Sequence, residues 1–395
     1  MQFSAEDEEF RDRVRHWLEQ NLTGEFASLA GLGGPGREHE HFEQRLAWNR
    51  HLAASGWTCP SWPARYGGQD ATLARQVIFL QEYARSGAPA RVGHMGEELL
   101  GPTLIEFGTT EQKERFLPPI AAVQELWCQG YSEPGVGSHL ASVSTSAVLD
   151  GGHWVITGQK VWTSLAHVAD WCFLLARTEP GSRRSAGLSY LLVPMKQAGV
   201  TVRPIRQLTG TAEFNEVFFD GARTAREMVV GQPGEGWRVA MATLAIERGV
   251  STLGQQVGYQ RELAALITAA RQNGAARDPL LRDRLARAWI GLQVMREQVL
   301  SMLDGASASG TGDGRGAEAS VVKMLWSVWH RDLGELAMAV LGPSSMVAQG
   351  APYELDEWQR LHLFSRADTI YGGSQEIQLG IIADRALGLP RQARP

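Results

Sequence analysis

The stretch ASVSTSAVLDGGHWVITGQKVWTS, residues 141–164, contains two segments of alternating apolar and polar residues on either side of Asp150-Gly151-Gly152. Such alternation is typical of strands with one buried face, and this junction is typical of a hairpin turn. Further β-type runs are DWCFLLART (170–178), LSYLLVPM (188–195), VTVRPI (200–205) and FNEVFFD (214–220). We therefore predict a β domain over residues 126–232. Because its strands do not alternate with helices, we do not expect a parallel dinucleotide-binding sheet.

Helical periodicity precedes this β segment, in residues 1–125. Ser4 is a candidate N-cap, and further helices are predicted over 40–55 and 72–86. Thr109 or Thr110 can cap a short helix that Pro118-Pro119 ends. The Gly-rich sequence GLGGPGREHE, residues 31–40, resembles a phosphate loop only superficially, because no strand precedes it, and we interpret it as a flexible connection.

Helical periodicity returns in residues 233–395. The first helix is predicted from about 235 to 272, and Asp278-Pro279 starts the next. The Gly/Ser-rich residues 304–316 are predicted to form a loop between two long helices. The fold class is therefore α+β and mainly α, with a helical domain, a β domain and a final helical bundle.

Composition limits the classes of function. With 395 residues, 44% hydrophobic and 21% charged, the chain is long enough for two or three domains with large cores. The net charge of -5 gives no basic field for nucleic acid or an anionic membrane. The three cysteines, Cys59, Cys128 and Cys172, are far apart in sequence, which favours buried thiols in a reducing compartment.

The chain opens with MQFSAEDEEFRDRVRHW, which is acidic and helical, unlike a secretory signal or a transit peptide. No run of 18 apolar residues follows, so we expect a cytoplasmic protein without a membrane span. The ten histidines include no spaced set of metal ligands beyond His39 and His41 in a loop, so no metal is expected and a metal hydrolase is excluded.

One carboxylate stands out on the helix that begins near residue 235. Stepping by three or four residues places Glu247 on a face with Thr243, Leu244 and other small or apolar residues. A buried glutamate paired with an arginine, such as the adjacent Arg248, is one interpretation. A general base is the other, because a carboxylate in an apolar cleft has a raised proton affinity.

Two other segments are suited to holding a ligand. QGYSEPGVGSHLAS, residues 129–142, is a Ser-, Gly- and Pro-rich loop whose backbone N–H groups suit an anionic or heteroaromatic molecule. GQKVWTS, residues 158–164, provides the flat surface of Trp162 beside the hydroxyls of Thr163 and Ser164. This tryptophan could line a ring cofactor or belong to the core.

Four motifs together resemble one known family. YSEPGVGS, GQKVWTS, AHVADWCFLLART and the C-terminal IYGGSQEIQ…RALGLPR are similar, in matching order and over essentially the whole chain, to the flavin-dependent acyl-CoA dehydrogenases. The resemblance implies a β-barrel-like middle domain and a C-terminal four-helix bundle, with FAD held noncovalently between them and across a subunit interface. It also implies lipid metabolism and electron transfer to an electron-transfer flavoprotein or a similar acceptor.

The implied reaction is the dehydrogenation of an acyl-CoA to a trans-2-enoyl-CoA. A base removes the proton from the α carbon of the thioester, and the flavin N5 accepts the hydride from the β carbon. In many members the base directly follows the tyrosine of the last motif, but here Gly372 follows Tyr371. A minority of members place the base just before an arginine on the first long C-terminal helix, and that residue here is Glu247. Gly372 also leaves space for a branched or bulky acyl chain.

The resemblance assigns the remaining site residues position by position. Those implied to contact the flavin are Tyr131, Ser132, Trp162, Thr163, Ser164, Ser374 and Glu376. Ser138 matches a contact to the CoA side of the substrate, and Arg248 matches an arginine near the substrate.

The chain also departs from the family pattern. His139 replaces the usual aspartate, and Ala339 and Pro343 replace a glutamine and a glycine near the adenosine half of FAD. The arginine segment that often clamps the FAD diphosphate across the dimer is not recognisable, although Arg271, Arg277 or Arg282 could substitute. The alternatives to a homo-dimer or homo-tetramer are therefore a half-competent or noncatalytic subunit of a hetero-oligomer, or a flavin oxidase or monooxygenase on the same fold.

Overall fold

The computed structural model describes residues 3–247, 251–309, 315–350 and 353–390. Within its helices, the side chains of residues 247, 251–253, 303–309 and 315–316 lie outside this description. The observed class is the predicted one, a mainly helical chain around a central sheet.

The N-terminal part contains helices α1 (Ala5–Asn21), α2 (Phe42–Ala54), α3 (Leu73–Ser86), α4 (Gly101–Phe107) and α5 (Thr110–Ala121). Ser4 caps α1 as predicted, because its hydroxyl accepts a hydrogen bond from the Asp7 amide and the Asp7 carboxylate accepts one from the Ser4 amide. Thr109 caps α5 in the same way with Gln112. The prediction that Pro118-Pro119 ends α5 was wrong. The helix continues to Ala121, because the carbonyl groups of both prolines still accept amides from the chain that follows.

The Gly-rich segment 31–40 is pinned to its surroundings, in contrast to the flexible connection that we predicted. The Gly31 amide donates to the Gly87 carbonyl at 2.7 Å, and the buried Arg45 guanidinium donates to the Glu38 carbonyl at 2.9 Å. Gly36, at φ = 78°, lies so close to the ring of Phe364 that a Cβ would come within 2.7 Å of it. Close packing on a distant helix explains this glycine better than flexibility does.

The middle part is a sheet with strands β1 (Trp127–Gly130), β2 (Ser146–Asp150), β3 (His153–Ser164), β4 (Trp171–Arg177), β5 (Leu188–Pro194), β6 (Val200–Ile205), β7 (Phe214–Ala225) and β8 (Val229–Val230). The strand order is β6-β7-β3-β2-β4-β5-β8, and β1 pairs with β4 in parallel. The predicted hairpin is present, with Asp150 opposite His153 and with Gly151 and Gly152 at positive φ.

The cysteines are buried, as predicted, but two of them are neighbours in space. Cys128 of β1 lies directly opposite Cys172 of β4, although the sequence separates them widely. All three side chains are free thiols.

The C-terminal part contains α6 (Gly236–Glu247), α7 (Ser251–Gln272), α8 (Pro279–Ser309), α9 (Arg315–Leu341), α10 (Glu357–Asp368) and α11 (Gln375–Ile381). Helices α7 to α10 share an apolar core that includes Leu266, Val299 and Leu333. Helix α6 instead packs against the sheet and the N-terminal helices through Val239 and Ala240. None of the helices in the described ranges is both long and apolar enough to cross a lipid bilayer.

Two helix boundaries differ from the prediction. We expected a loop over residues 304–316, but residues 304–309 continue α8 and residues 315–316 begin α9. Residues 310–314, between the two helices, lie outside the described residues. The predicted helix over 235–272 comprises α6 and α7, and residues 248–250 between them also lie outside the description.

Candidate active site

The loop that follows β1 and the end of β3 are joined by one buried lysine. Lys160 is fully buried, and its Nζ donates to the Tyr131 carbonyl at 3.0 Å and to Glu133 Oε1 at 2.8 Å. The next amide along, that of Val161, donates to the Ser132 carbonyl at 2.9 Å. The structure therefore brings together Tyr131-Ser132 and the strand segment that ends with Trp162, two groups that the sequence places far apart.

Glu133 is the acceptor at the centre of this junction. Besides Lys160, its carboxylate accepts the amides of Ser144 and Thr145, at 2.6 and 2.9 Å, and the Ser144 hydroxyl. Burial alone would raise the pKa of Glu133, but the charge of Lys160 and these hydrogen bonds lower it to about 2. The carboxylate is therefore ionised at neutral pH and holds the loop after β1 in place.

Trp162 sits at an irregularity near the end of β3. The register with β7 shifts between Lys160 and Thr163, which is a β-bulge, and Trp162 has φ = 59°. A non-glycine residue in this conformation costs on the order of 1–2 kcal/mol, and such strain is found mostly at functional sites. The bulge also leaves 58% of Trp162 exposed. The Trp162 and Phe214 rings pack edge to face, with their centroids 6.2 Å apart. A flat apolar surface is thus presented at this end of the sheet.

Thr163 and Ser164 follow this tryptophan and end β3. The Thr163 carbonyl accepts the side-chain amide of the buried Asn215 at 3.0 Å, which fixes the strand end against β7. The Thr163 hydroxyl is buried and has no hydrogen-bond partner among the described residues. Ser164 is half-buried and pairs with Phe214. A planar heteroaromatic ligand fits the accessible part of this set, because it offers a face to Trp162 and an acceptor to the Ser164 hydroxyl.

Ser138 and His139 lie further along the loop after β1. Reciprocal amide-to-carbonyl bonds between Glu133 and Val136, at 3.0 and 2.9 Å, tighten the loop, and Gly135 at φ = 77° makes the turn. Both Ser138 and His139 are exposed beyond that turn. Ser138 is thus accessible to a ligand at the protein surface.

The C-terminal motif forms a tight turn before α11. Gly372 and Gly373 have φ values of 64° and 91°, and Ser374 occupies the N-cap position of α11. Glu376 is exposed in the first turn, where its own backbone N–H and the Ser374 hydroxyl lower its pKa. The start of α11 in the helical bundle therefore positions Ser374 and Glu376, independently of the contacts that Lys160 makes in the sheet.

Glu247 is the last residue of α6, and its side chain lies outside the described residues, as does the whole of Arg248. One turn earlier on the same face, the Thr243 hydroxyl lies 2.9 Å from that of Thr103 on α4. The buried Tyr190 hydroxyl lies close enough to Thr243 and Tyr131 to affect the pKa of Tyr190, which burial raises. Helix α6 is thereby anchored at a polar cluster of hydroxyls beneath the loop that carries Tyr131.

Several of these contacts were not predicted from the sequence. Glu133 and Lys160 both stand inside motifs that we quoted, and a lysine at an inward position of an alternating strand was the available signal. Asn215 and the hydroxyl cluster carried no such signal, since single polar residues in apolar segments are common. The alternative diphosphate contacts Arg271, Arg277 and Arg282 are all exposed, near the turn between α7 and α8.

Comparisons with known proteins agree along the whole chain. Residues 4–124, 128–222 and 234–387 match the N-terminal, middle and C-terminal domains of acyl-CoA dehydrogenase. The chain is 63% identical over 387 residues to acyl-CoA dehydrogenase IpdE1 of Mycobacterium tuberculosis, covering 98% of this chain and 99% of that protein.

Two solved structures are also similar. The Tcur3481-Tcur3483 steroid ACAD has a TM-score of 0.83 and 28% identity, over 99% of both chains. The ChsE4-ChsE5 complex from Mycobacterium tuberculosis has a TM-score of 0.79 and 28% identity, again over 99% of both chains.

Proposed function

The chain belongs to the acyl-CoA dehydrogenase family of oxidoreductases, and we propose that it converts an acyl-CoA thioester to the trans-2-enoyl-CoA with FAD as cofactor. The family is flavin-dependent. When bound, the flavin supplies the redox chemistry by accepting the β hydride with its electron pair. An electron-transfer flavoprotein or a similar acceptor is the proposed partner for reoxidation.

The observation that carries this proposal is the junction at Lys160. It holds Tyr131 and Ser132 next to the strained, exposed Trp162 and next to Thr163, whose hydroxyl has no hydrogen-bond partner in the described part of the chain. These residues would hold the isoalloxazine ring, while Ser374 and Glu376 would hold the cofactor from the bundle. Ser138, exposed on the same loop as Tyr131, would contact the CoA side of the thioester.

Glu247 is the proposed base. Its carboxylate would accept the proton from the α carbon, leaving the electron pair of that C–H bond to form the new double bond as the β hydride departs. Its position at the end of α6 supports this role, because that helix packs against the sheet through Val239 and Ala240 near the Tyr131 loop. Arg248, the next residue, would contact the substrate.

A bulky acyl group is the proposed substrate class. Gly372 follows Tyr371 where many relatives carry a carboxylate side chain, so this side of the cleft has no side chain to exclude a branched or ring-bearing acyl group. One solved relative is described as a steroid ACAD, which agrees with a polycyclic acyl group here.

A hetero-oligomer is the second candidate for the functional state. Two of the similar solved structures are described by pairs of proteins. Ala339 and Pro343 replace residues that usually contact the adenosine half of FAD, so a related subunit would provide those contacts. In that case the chain purified alone would be colourless, and co-expression with its related subunit would restore the yellow flavin spectrum.

The test of the chemistry is flavin bleaching by a panel of straight-chain, branched and steroid-side-chain acyl-CoAs. Glu247→Gln is expected to stay yellow but to bleach about 10²–10⁴ times more slowly, the usual loss when a general base is removed. Glu235→Gln, at the start of the same helix and paired with Arg238 on the surface, is the matched control. Equal bleaching by Glu247→Gln and the wild type would overturn the base assignment. Rapid oxygen consumption without another acceptor would indicate an oxidase or monooxygenase instead.

A further inference from the structure

A chain of hydrogen-bonded charged groups crosses the bundle and ends at Tyr371. His330 of α9 lies between two carboxylates, with Nδ1 at 2.5 Å from Asp368 Oδ2 and Nε2 at 3.0 Å from Glu262 Oε2. The other oxygen of Asp368 accepts the Tyr371 hydroxyl at 2.7 Å. We call Glu262, His330, Asp368 and Tyr371 the imidazole chain. It links a partly exposed carboxylate on α7 to the residue directly before Gly372.

A buried lysine and aromatic rings pack around the imidazole chain. Lys323 donates from Nζ to the Asp368 carbonyl at 2.6 Å and lies 3.9 Å from the centre of the Trp326 ring and 4.6 Å from that of Tyr371. The Tyr259 ring packs on the His330 imidazole, with the two ring centroids 4.4 Å apart. Lys323 thus lies against the backbone of Asp368 and two aromatic rings, and His330, Asp368 and Lys323 are all more than nine-tenths buried.

This arrangement favours the protonated imidazole. Burial alone would lower the pKa of His330, but the hydrogen bonds and charges of Asp368 and Glu262 raise it to about 9. With both ring nitrogens acting as donors, His330 fixes the orientation of Asp368, and Asp368 in turn fixes the hydroxyl of Tyr371.

A second clamp acts on the turn from its other side. The side-chain amide of the buried Gln378 donates to the Gly372 carbonyl at 3.0 Å and to the Gly373 carbonyl at 3.3 Å. The turn is therefore held by α11 on one side and by the imidazole chain on the other. Glycine provides no side-chain packing of its own at these two positions, so these clamps determine where the turn lies.

We propose that the imidazole chain positions the Tyr371-to-Ser374 turn in the substrate and flavin cleft, and that His330 is a positioning residue for the reaction. The turn's place in that cleft rests on the proposed function. Position 372 is a glycine and carries no catalytic carboxylate. The residue before it, Tyr371, is instead bound to the buried ion pair of Asp368 and His330, which has no other role in the proposed mechanism. Loss of the imidazolium removes the partner that binds both carboxylates, and it weakens the support of the Tyr371 hydroxyl through Asp368.

The experiment compares His330→Gln, Tyr371→Phe and Glu335→Gln with the wild-type chain. Glu335→Gln is the matched control, because Glu335 pairs with Arg366 across the same two helices at 2.7 Å but on the exposed side. Tyr371→Phe removes the hydroxyl that bonds Asp368 and keeps the ring, so it tests the proposal if His330→Gln fails to fold. The measurements are amide hydrogen exchange of residues 369–380, FAD affinity, and kcat and KM for an acyl-CoA that bleaches the wild type.

We expect His330→Gln and Tyr371→Phe to exchange amides 369–380 on the order of tenfold faster or more, which corresponds to the loss of one charged hydrogen bond. FAD affinity or kcat should fall in both, with Glu335→Gln unchanged. Unchanged exchange in a folded His330→Gln would overturn the proposal, as would faster exchange without an effect on FAD or kcat. If the wild-type chain, alone and with a related subunit, neither binds FAD nor bleaches, the proposed function fails. The exchange rates still decide whether the imidazole chain holds the turn.

Discussion

The Lys160 junction in the sheet and the imidazole chain in the bundle perform the same task by different means. In the sheet, β1 and β3 belong to the same sheet, and a single lysine of β3 binds the loop that follows β1. In the bundle, α7, α9 and α10 each contribute one charged group to the chain of hydrogen bonds that ends at the Tyr371 hydroxyl. In this protein one buried ion pair holds the loop beside the sheet, whereas a network of four side chains supports the turn between helices.

The largest effect that would separate the two regions is expected at Lys160. Lys160→Met leaves Glu133 ionised and buried without its partner, which should lower the free energy of unfolding by about 3–5 kcal/mol. Chemical denaturation measures this change. Lys196 is 78% exposed and pairs with Asp170. Because this ion pair is on the surface, Lys196→Met should lower the free energy of unfolding by no more than about 1 kcal/mol. Equal losses for the two variants would mean that Lys160 adds nothing beyond a surface ion pair.

The second effect is a pH dependence that only the bundle should show. The folded-state pKa of His330 is about 9, above the ordinary value of 6.5, so its contribution to stability is complete below pH 6.5 and is lost as the pH rises through about 9. The difference in unfolding free energy between the wild type and His330→Gln should therefore shrink by on the order of 2–3 kcal/mol across this window. Denaturation at several pH values measures it, and a constant difference would contradict the assigned charge.

The smallest effect concerns the backbone of the turn itself. Gly372→Ala places a Cβ at φ = 64°, which should lower the unfolding free energy by about 1 kcal/mol. Gly380→Ala, within α11 where an added Cβ meets nothing within 4 Å, should raise it by about 0.5–1 kcal/mol. Thermal unfolding measures both changes. A lower unfolding free energy for Gly372→Ala and a higher one for Gly380→Ala would show that the strain belongs to the turn and not to the helix. The same sign for both would contradict this.

Much of the fold could be predicted from the sequence, because its signals are local. Alternation and the Asp150-Gly151-Gly152 turn identified the hairpin, and Ser4 and Thr109 identified two helix starts. The predicted loop at 304–316 was too long, since composition alone does not show how far a packed helix extends through glycine and serine. Proline likewise ends a helix less sharply than expected when neighbouring carbonyls keep their partners, as in α5.

The supports of the candidate site could not be predicted in the same way. Glu262, His330 and Asp368 come from three different helices, so no spacing in the sequence connects them. Lys160 and Glu133 were visible within the motifs, but their pairing depends on the register of the sheet. The family resemblance assigned Trp162 to the flavin, and its bulge and positive φ are visible only in three dimensions. The assignments of Glu247, Arg248 and the other site residues stay predictions.

The segment at residues 31–40 has a further consequence. Its Glu38 amide is bound by Glu213 beside β7, its Gly36 is covered by Phe364 of α10, and its first amide is bound by the loop after α3. A protease usually cuts first at exposed, glycine-rich connections. Here three anchors restrict the backbone of such a stretch, so we expect limited digestion of the native protein to cut it more slowly than its composition suggests.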